Sequence, residues 1–175
     1  KHPSLNYHIP ESVKFLKFEK FTEEINKKVD LIVVAVISKG IEWASFELSK
    51  VLKDNTPILI LTKGLSINND NYEVLAHKME RLLKKNGIKK TNISAAAGPC
   101  LANGLANRVH TSVVFANKDI KIAKLISKLV STKYYHVFIS EDVVGVEVCA
   151  AIKNIFAMAV GASQSLSSTH ESKGT

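Results

Sequence analysis

Leu31-Ile32-Val33-Val34-Ala35-Val36-Ile37 is an unbroken apolar run dominated by β-branched side chains, and its reading decides the fold class. A strand with no polar face has nothing to offer water, so it belongs in a parallel sheet covered on both sides. Glu42–Lys53 follows at helical spacing, with Trp43, Phe46 and Val51 available for packing. Pro57–Leu61 is the next short apolar run, ending at Thr62-Lys63-Gly64. Alternation of such runs with amphipathic helices is the pattern of an α/β sheet with flanking helices.

Outward from that unit the pattern continues in both directions. Upstream, Val13–Phe18 reads as a short strand and Glu19–Lys28 as a helix. Downstream, Tyr72–Lys85 repeats apolar residues at Val74, Leu75, Met79, Leu82 and Leu83 and is closed by Asn86-Gly87, so it is predicted helical. Ile93–Ala97, Thr111–Ala116 and Tyr135–Ser140 are predicted strands, with a helix over Asp119–Val130. After Ser140 the character changes. Val143–Gly161 is apolar nearly all the way round, as expected of a buried helix, and Glu141-Asp142 place acidic residues at its N-terminus. Ser163–Thr175 is polar and is expected to form a mobile loop. A boundary near Ser140 therefore divides residues 1–140, a sheet domain, from 141–175, the opening helix of a helical domain.

Composition excludes several classes. The chain has 175 residues, 46% hydrophobic and 23% charged, the profile of a globular protein. The longest apolar stretch is interrupted by Lys153 and Asn154, so no membrane span is expected. Cys100 and Cys149 are too far apart to form a redox or metal-binding pair, and the six histidines show no ligand spacing, so no metal site is expected. The net charge of +8 comes almost wholly from lysine. Those lysines recur on polar helix faces with no interleaved aromatic residues, which is not a nucleic-acid footprint. A basic field does suit phosphorylated small molecules.

Chemistry points to Lys153. Its helical neighbours are Cys149, Ala150, Phe156 and Ala157, all small or apolar. An ammonium held there would be desolvated, which favours the neutral amine and proton transfer. The plain alternative is a lysine that snorkels its head to water.

Three blocks, in order, carry a family resemblance. Gly145-Val146-Glu147-Val148-Cys149-Ala150-Ala151-Ile152-Lys153-Asn154 resembles the Gly-Val-Glu…Ala-Leu-Lys-Asn segment of NAD(P)-dependent glycerol-3-phosphate dehydrogenases. Ile60-Leu61-Thr62-Lys63-Gly64-Leu65 is similar to that family's strand-ending Lys-Gly segment. Ala97-Gly98-Pro99-Cys100-Leu101-Ala102-Asn103-Gly104-Leu105-Ala106 is similar to its Ser-Gly-Pro-(Ser/Thr)-Phe-Ala-x-Glu segment.

The resemblance implies a Rossmann-like domain with a mostly parallel sheet, then the first helix of a helical substrate domain. It implies NAD or NADP as cofactor and hydride exchange between glycerol 3-phosphate and dihydroxyacetone phosphate. Lys153 is then the proton donor and acceptor. Lys63, Gly98, Cys100, Lys153 and Asn154 bind substrate, while Lys63 and the backbone of Ala102 face the cofactor. A cytoplasmic enzyme of phospholipid synthesis is implied, and a homodimer is left open. Related β-hydroxyacid dehydrogenases space their lysine and asparagine by four, whereas Lys153 and Asn154 are adjacent. A non-catalytic nucleotide-binding scaffold is the remaining alternative.

Some positions depart from the family pattern. Cys100 replaces a hydroxyl or amide side chain, Gly104 the usual glutamate, and Ile37-Ser38 the usual Pro-Ser. Gly161–Leu166 stands where Asp-Gly-Leu is common. The Gly-x-Gly-x-x-Gly turn that holds a pyrophosphate at a helix N-terminus is absent from this sequence. The chain is therefore expected to be an internal piece of a longer enzyme. Alone, it should not oxidise NADH or NADPH in the presence of dihydroxyacetone phosphate, and steady turnover by the 175-residue chain in a spectrophotometric assay would refute this.

Overall fold

The computed structural model describes residues 5, 7–25, 29–52 and 55–171, with side chains described as far as 165. A five-stranded sheet forms the centre. Its strands are β1 (Ile32–Val34), β2 (Pro57–Ile60), β5 (Asn92–Ala97), β6 (Thr111–Ala116) and β7 (Tyr135–Ser140), in the order β1-β2-β5-β6-β7. β1/β2, β2/β5 and β6/β7 pair in parallel, and β5/β6 pair antiparallel. The expected α/β architecture with a mostly parallel sheet is what forms.

Alternation along the strands sorts the core onto two faces. Ile58 and Ile60 of β2 join Ile32 and Val34 under α2 (Ile41–Ser49) and α3 (Leu75–Lys85), whose Ile41, Leu48, Met79 and Leu83 are almost fully buried. Leu59 points the other way, with Val113 and Phe115 of β6, against Ile126 of α5 (Ile120–Val130). Asn117 fastens β5 to the turn before α5. Its amide donates to Ile93 O at 3.1 Å and Ser94 Oγ at 2.8 Å, and its Oδ1 accepts from Asp119 N at 2.8 Å. Asp119 caps α5 by accepting from Lys121 N at 2.8 Å, which satisfies one of the helix's unpaired first-turn donors.

Several elements differ from the sequence expectation. The strand expected over Val13–Phe18 does not form, because 13–17 lie exposed with no neighbouring strand among the described residues; a 3-10 turn (Phe18–Lys20) and the short α1 (Phe21–Ile25) follow. Residues 26–28 and 53, at the ends of two of the predicted helices, lie outside the described residues, as does 54. β1 is shorter than Leu31–Ile37 and, as the edge strand, leaves Val33 48% exposed rather than covered on both faces. A hairpin of β3 (Leu65–Asn68) and β4 (Asn71–Val74) occupies ground assigned partly to the following helix. Asn69 and Asp70 turn it with φ of 49° and 62°, the left-handed pair a two-residue hairpin demands. Between β5 and β6 lies a five-residue helix, α4 (Ala102–Ala106), which the sequence reading did not assign.

The largest correction concerns the last helix. α6 runs from Val143 to Glu171 as one helix, so residues 163–171 are not a loop. The segment Val143–Ser165 is, by length and composition, long and apolar enough to cross a membrane, contrary to the estimate from the interrupted run. Its first half is packed, and the described side chains of its second half are exposed. Val143, Glu147 and Ala150 are buried, whereas Ile155, Phe156, Met158 and Val160 are each more than half exposed.

The tight packing between α3 and the sheet makes Met79 a sensitive position, since it is fully buried. Met79→Ala is expected to lower unfolding free energy by about 2–4 kcal/mol through lost burial and a residual cavity, read from the midpoint shift of a urea melt.

Candidate active site

Pairing register brings two of the predicted site residues, Lys63 and Gly98, to one edge. β1, β2 and β5 run in the same direction, with Val34↔Ile60 and Ile60↔Ala95 as partners. Lys63 and Gly98 each lie three residues beyond a member of that Ile60↔Ala95 pair, so they leave the sheet at the same carboxyl edge. Thr62 holds the end of β2, donating from Oγ1 to Val36 O at 2.6 Å, and Leu61 N donates to Val34 O at 2.9 Å. Lys63 then emerges exposed at the carboxyl edge. Ligands gather at this edge of parallel sheets.

α6 reaches that edge from the far side. Val143 shares a small hollow with Ile93 and Asn117, beside the start of β5. Farther along, Gly145, Val146, Cys149, Ala150 and Lys153 line a cleft of about 500 Å³ with Ala97, Gly98, Pro99, Val114 and Asp142. Gly145, Cys149 and Lys153 are spaced by four and form one stripe of the helix. Among the described residues, Lys153 is the one cation in an otherwise largely apolar wall.

Lys153 is exposed, not enclosed by hydrocarbon as its sequence neighbours suggested. Its neighbours Phe156 and Ala157 are themselves exposed, because nothing described packs on that turn of α6. Asn154 is exposed also, and it is not among the cleft-lining residues, as the 100° step between adjacent helix positions requires.

Gly98 does its work inside the protein. Its φ of +145° favours glycine, and a Cβ there would lie 2.9 Å from Ser112 O and 2.9 Å from Val113 Cα of β6. The close approach this glycine permits is that of the β6 backbone, while its other side borders the cleft. Cys100 packs with the second core cluster, near Tyr135, and is not among the cleft-lining residues. Burial, with the nearby Cys100 second, pushes the Tyr135 hydroxyl above its usual range. The substrate contact expected of Cys100 is thus not what its packing favours. Ala102 opens α4 and is exposed, so it is not a core alanine.

Two acidic residues were missed as parts of this region. Asp142 lines the cleft and caps α6, with Oδ1 accepting from Gly145 N at 2.7 Å. A Cβ on Gly145 would collide with that carboxylate, so Asp-x-x-Gly at 142–145 was a legible capping signal. Glu147 is only 5% exposed, and its Oε2 accepts from Ala76 N in the first turn of α3 at 2.9 Å. Burial pushes its carboxyl up to about 7, only partly opposed by the N–H groups of Ala76 and Leu75.

Lys63 presents an exposed amine beyond the end of β2, and Ala102 opens α4 after the Gly98-Pro99 turn that follows β5. No group of three or more metal-binding side chains is found among the described residues.

Comparison with known proteins follows the same lines. Residues 5–123 match the family model for the NAD-dependent glycerol-3-phosphate dehydrogenase N-terminus, and residues 142–175 match the model for its C-terminus. Glycerol-3-phosphate dehydrogenase [NAD(P)+] of Francisella philomiragia is 34% identical over 132 residues, covering 75% of this chain and 38% of the relative. The Francisella tularensis protein of the same name is 32% identical over the same extent. The chain thus spans well under half the length of the curated relatives it matches. The glycerol-3-phosphate dehydrogenase structure from Coxiella burnetii superposes with a TM-score of 0.73 at 26% identity, covering 93% of this chain and 46% of that one. The yeast structure shares the fold, with a TM-score of 0.65 at 20% identity over 77% of this chain and 38% of the other.

Glu147 yields a pH prediction. Its folded carboxyl keeps a proton up to about pH 7, its unfolded one only to about the ordinary 4.5. The folded state therefore binds more protons between those values, so this group's stabilising contribution is complete below 4.5 and declines as pH rises through 7. Glu147→Gln, fixed neutral, should gain stability relative to wild type between pH 5 and pH 8, by up to about 3 kcal/mol. Parallel stability curves in urea melts at the two pH values would contradict this.

Proposed function

This chain belongs to the NAD-dependent glycerol-3-phosphate dehydrogenase family, and from that premise we propose that it is part of an enzyme exchanging hydride between glycerol 3-phosphate and dihydroxyacetone phosphate. The supporting observation is the cleft where Lys153, on α6, meets Gly98 and Pro99 beyond β5. NAD or NADP is the cofactor, and when bound its nicotinamide supplies or takes the hydride.

The remaining chemistry falls to side chains. Reduction of a ketone places charge on its oxygen, and an ammonium within reach donates a proton to it; in oxidation the neutral amine takes the proton back. Lys153 has that role. Among the described residues it is the one cation lining the cleft, which it shares with Cys149 and Ala150. Lys63, exposed at the same edge, offsets phosphate charge and faces the cofactor with the backbone of Ala102. Asn154, one step round the helix, donates its amide to a substrate hydroxyl or phosphate. Gly98 leaves room at the cleft floor. Cys100 contributes through packing.

Residues 1–140 are read as the incomplete nucleotide-binding domain and 141–175 as the start of the helical substrate domain. The exposed second half of α6, with Phe156 and Met158, is the face that the remainder of that domain covers. The buried carboxylate of Glu147 and the mid-helix Lys153 favour a domain helix over a membrane span. A cytoplasmic location and supply of glycerol 3-phosphate for phospholipid synthesis complete the reading.

Lys153→Ala in the full-length protein is expected to lower kcat by about 10²–10⁴-fold, the usual worth of a positioned proton donor. Cofactor affinity, followed by nicotinamide fluorescence, should stay within about twofold. Retained kcat, or lost cofactor binding with kcat unchanged, would remove Lys153 from the chemistry.

A further inference from the structure

We propose that Glu147 is a positioning residue: by accepting the Ala76 N–H at the start of α3 it sets the rotation and height of α6, and so the place of Lys153 over the cleft. The inference rests on the dehydrogenase reading above and deepens it.

Geometry carries it. Glu147 lies on the buried flank of α6 with Val143 and Ala150, while Lys153 lies on the cleft stripe. The two are six residues apart, about 9 Å along the axis and about 120° apart round it. A pin on one flank therefore determines which way the other flank faces. Apolar packing alone is tolerant of small rotations and slides, because burial is non-directional. A hydrogen bond to a backbone N–H is directional, and this one joins elements separated by 71 positions.

The arrangement is also a poor way to gain stability. Oε1 of Glu147 is buried with no hydrogen-bond partner, and burial disfavours the carboxylate's charge. A leucine of similar size would fill the space without that penalty. What the carboxylate adds is register between α6 and α3. Displacement of a catalytic group by about 1 Å can lower a rate 10²-fold, so a loose α6 would show in kcat before it showed in folding.

The test uses the full-length enzyme and three variants. Glu147→Gln keeps an acceptor oxygen for Ala76 N; Glu147→Leu removes it; Glu147→Asp shortens it by one methylene. The measurements are kcat, KM for NAD(P)H and hydrogen exchange at the Ala76 amide. Leu and Asp are each expected to lower kcat at least tenfold, with cofactor KM within twofold and Ala76 exchange at least tenfold faster. Gln should stay within threefold of wild type in all three. The proposal is overturned if kcat survives in Leu and Asp, if Gln loses as much as Leu, or if Ala76 exchange does not change. Should Leu fail to fold, Asp and Gln decide the matter by the same criteria. Wild type with no turnover of dihydroxyacetone phosphate would defeat the dehydrogenase reading instead, and exchange at Ala76 would still report whether the pin exists.

Discussion

The packing of the first half of α6 along β5 is the constraint on which the rest of the site depends. Val143 joins the core cluster on one face of the sheet, Ala150 is buried beside the cleft, Asp142 caps the helix start, and Glu147 ties its buried flank to α3. Remove that docking and Lys153 has no defined relation to Gly98, Pro99 or the strand ends. The site is thus a joint product of a sheet edge and a helix arriving from the opposite edge. The cleft walls are largely apolar, and among the described residues Asp142 and Lys153 are the charged side chains that line them.

The antiparallel pairing of β5 with β6, the one such pairing within the five-stranded sheet, makes this geometry feasible. Because β6 and β7 run against β5, β7 ends at the edge where β5 begins; Ala95 pairs with Ala116, and Ala116 with Ser140. α6 therefore starts there and travels the length of β5 before meeting the carboxyl edge. Gly98 serves the same end, letting the chain beyond β5 pass against the backbone at Ser112 and Val113. One residue type thereby connects strand topology with the floor of the cleft.

Surface charge divides by role. Arg81 holds Glu73 through two hydrogen bonds at 2.9 and 2.8 Å, and Lys78 meets Glu42 at 2.7 Å. The partner cation lowers the carboxyl pKa of both Glu73 and Glu42. These pairs join β4 to α3 and α2 to α3, each setting one solvent-exposed partner against a more buried one. Lys63 and Lys153 make no such pair with an acid among the described residues, and both stand at the carboxyl edge or the cleft.

Element types and most strand positions were legible from periodicity, because β-branched runs such as Ile58–Ile60 and stripes such as Met79–Leu83 record which face is buried. The Lys63, Gly98 and Lys153 blocks were legible as motifs. Three things were not. The β3–β4 hairpin was hidden because Val74 and Leu75 fit a helical stripe, although Asn69-Asp70 carried the turn signal. The exposure of Lys153 was hidden because sequence neighbours report composition round a helix, not which side has a partner. Glu147 was hidden because a carboxylate gains its meaning from a backbone N–H 71 positions away. By itself, then, the sequence determined local periodicity and the identity of the reactive groups, since both are properties of neighbouring residues. Only tertiary structure decided which groups share a cleft and which are sealed from water, because those depend on contacts between segments distant along the chain.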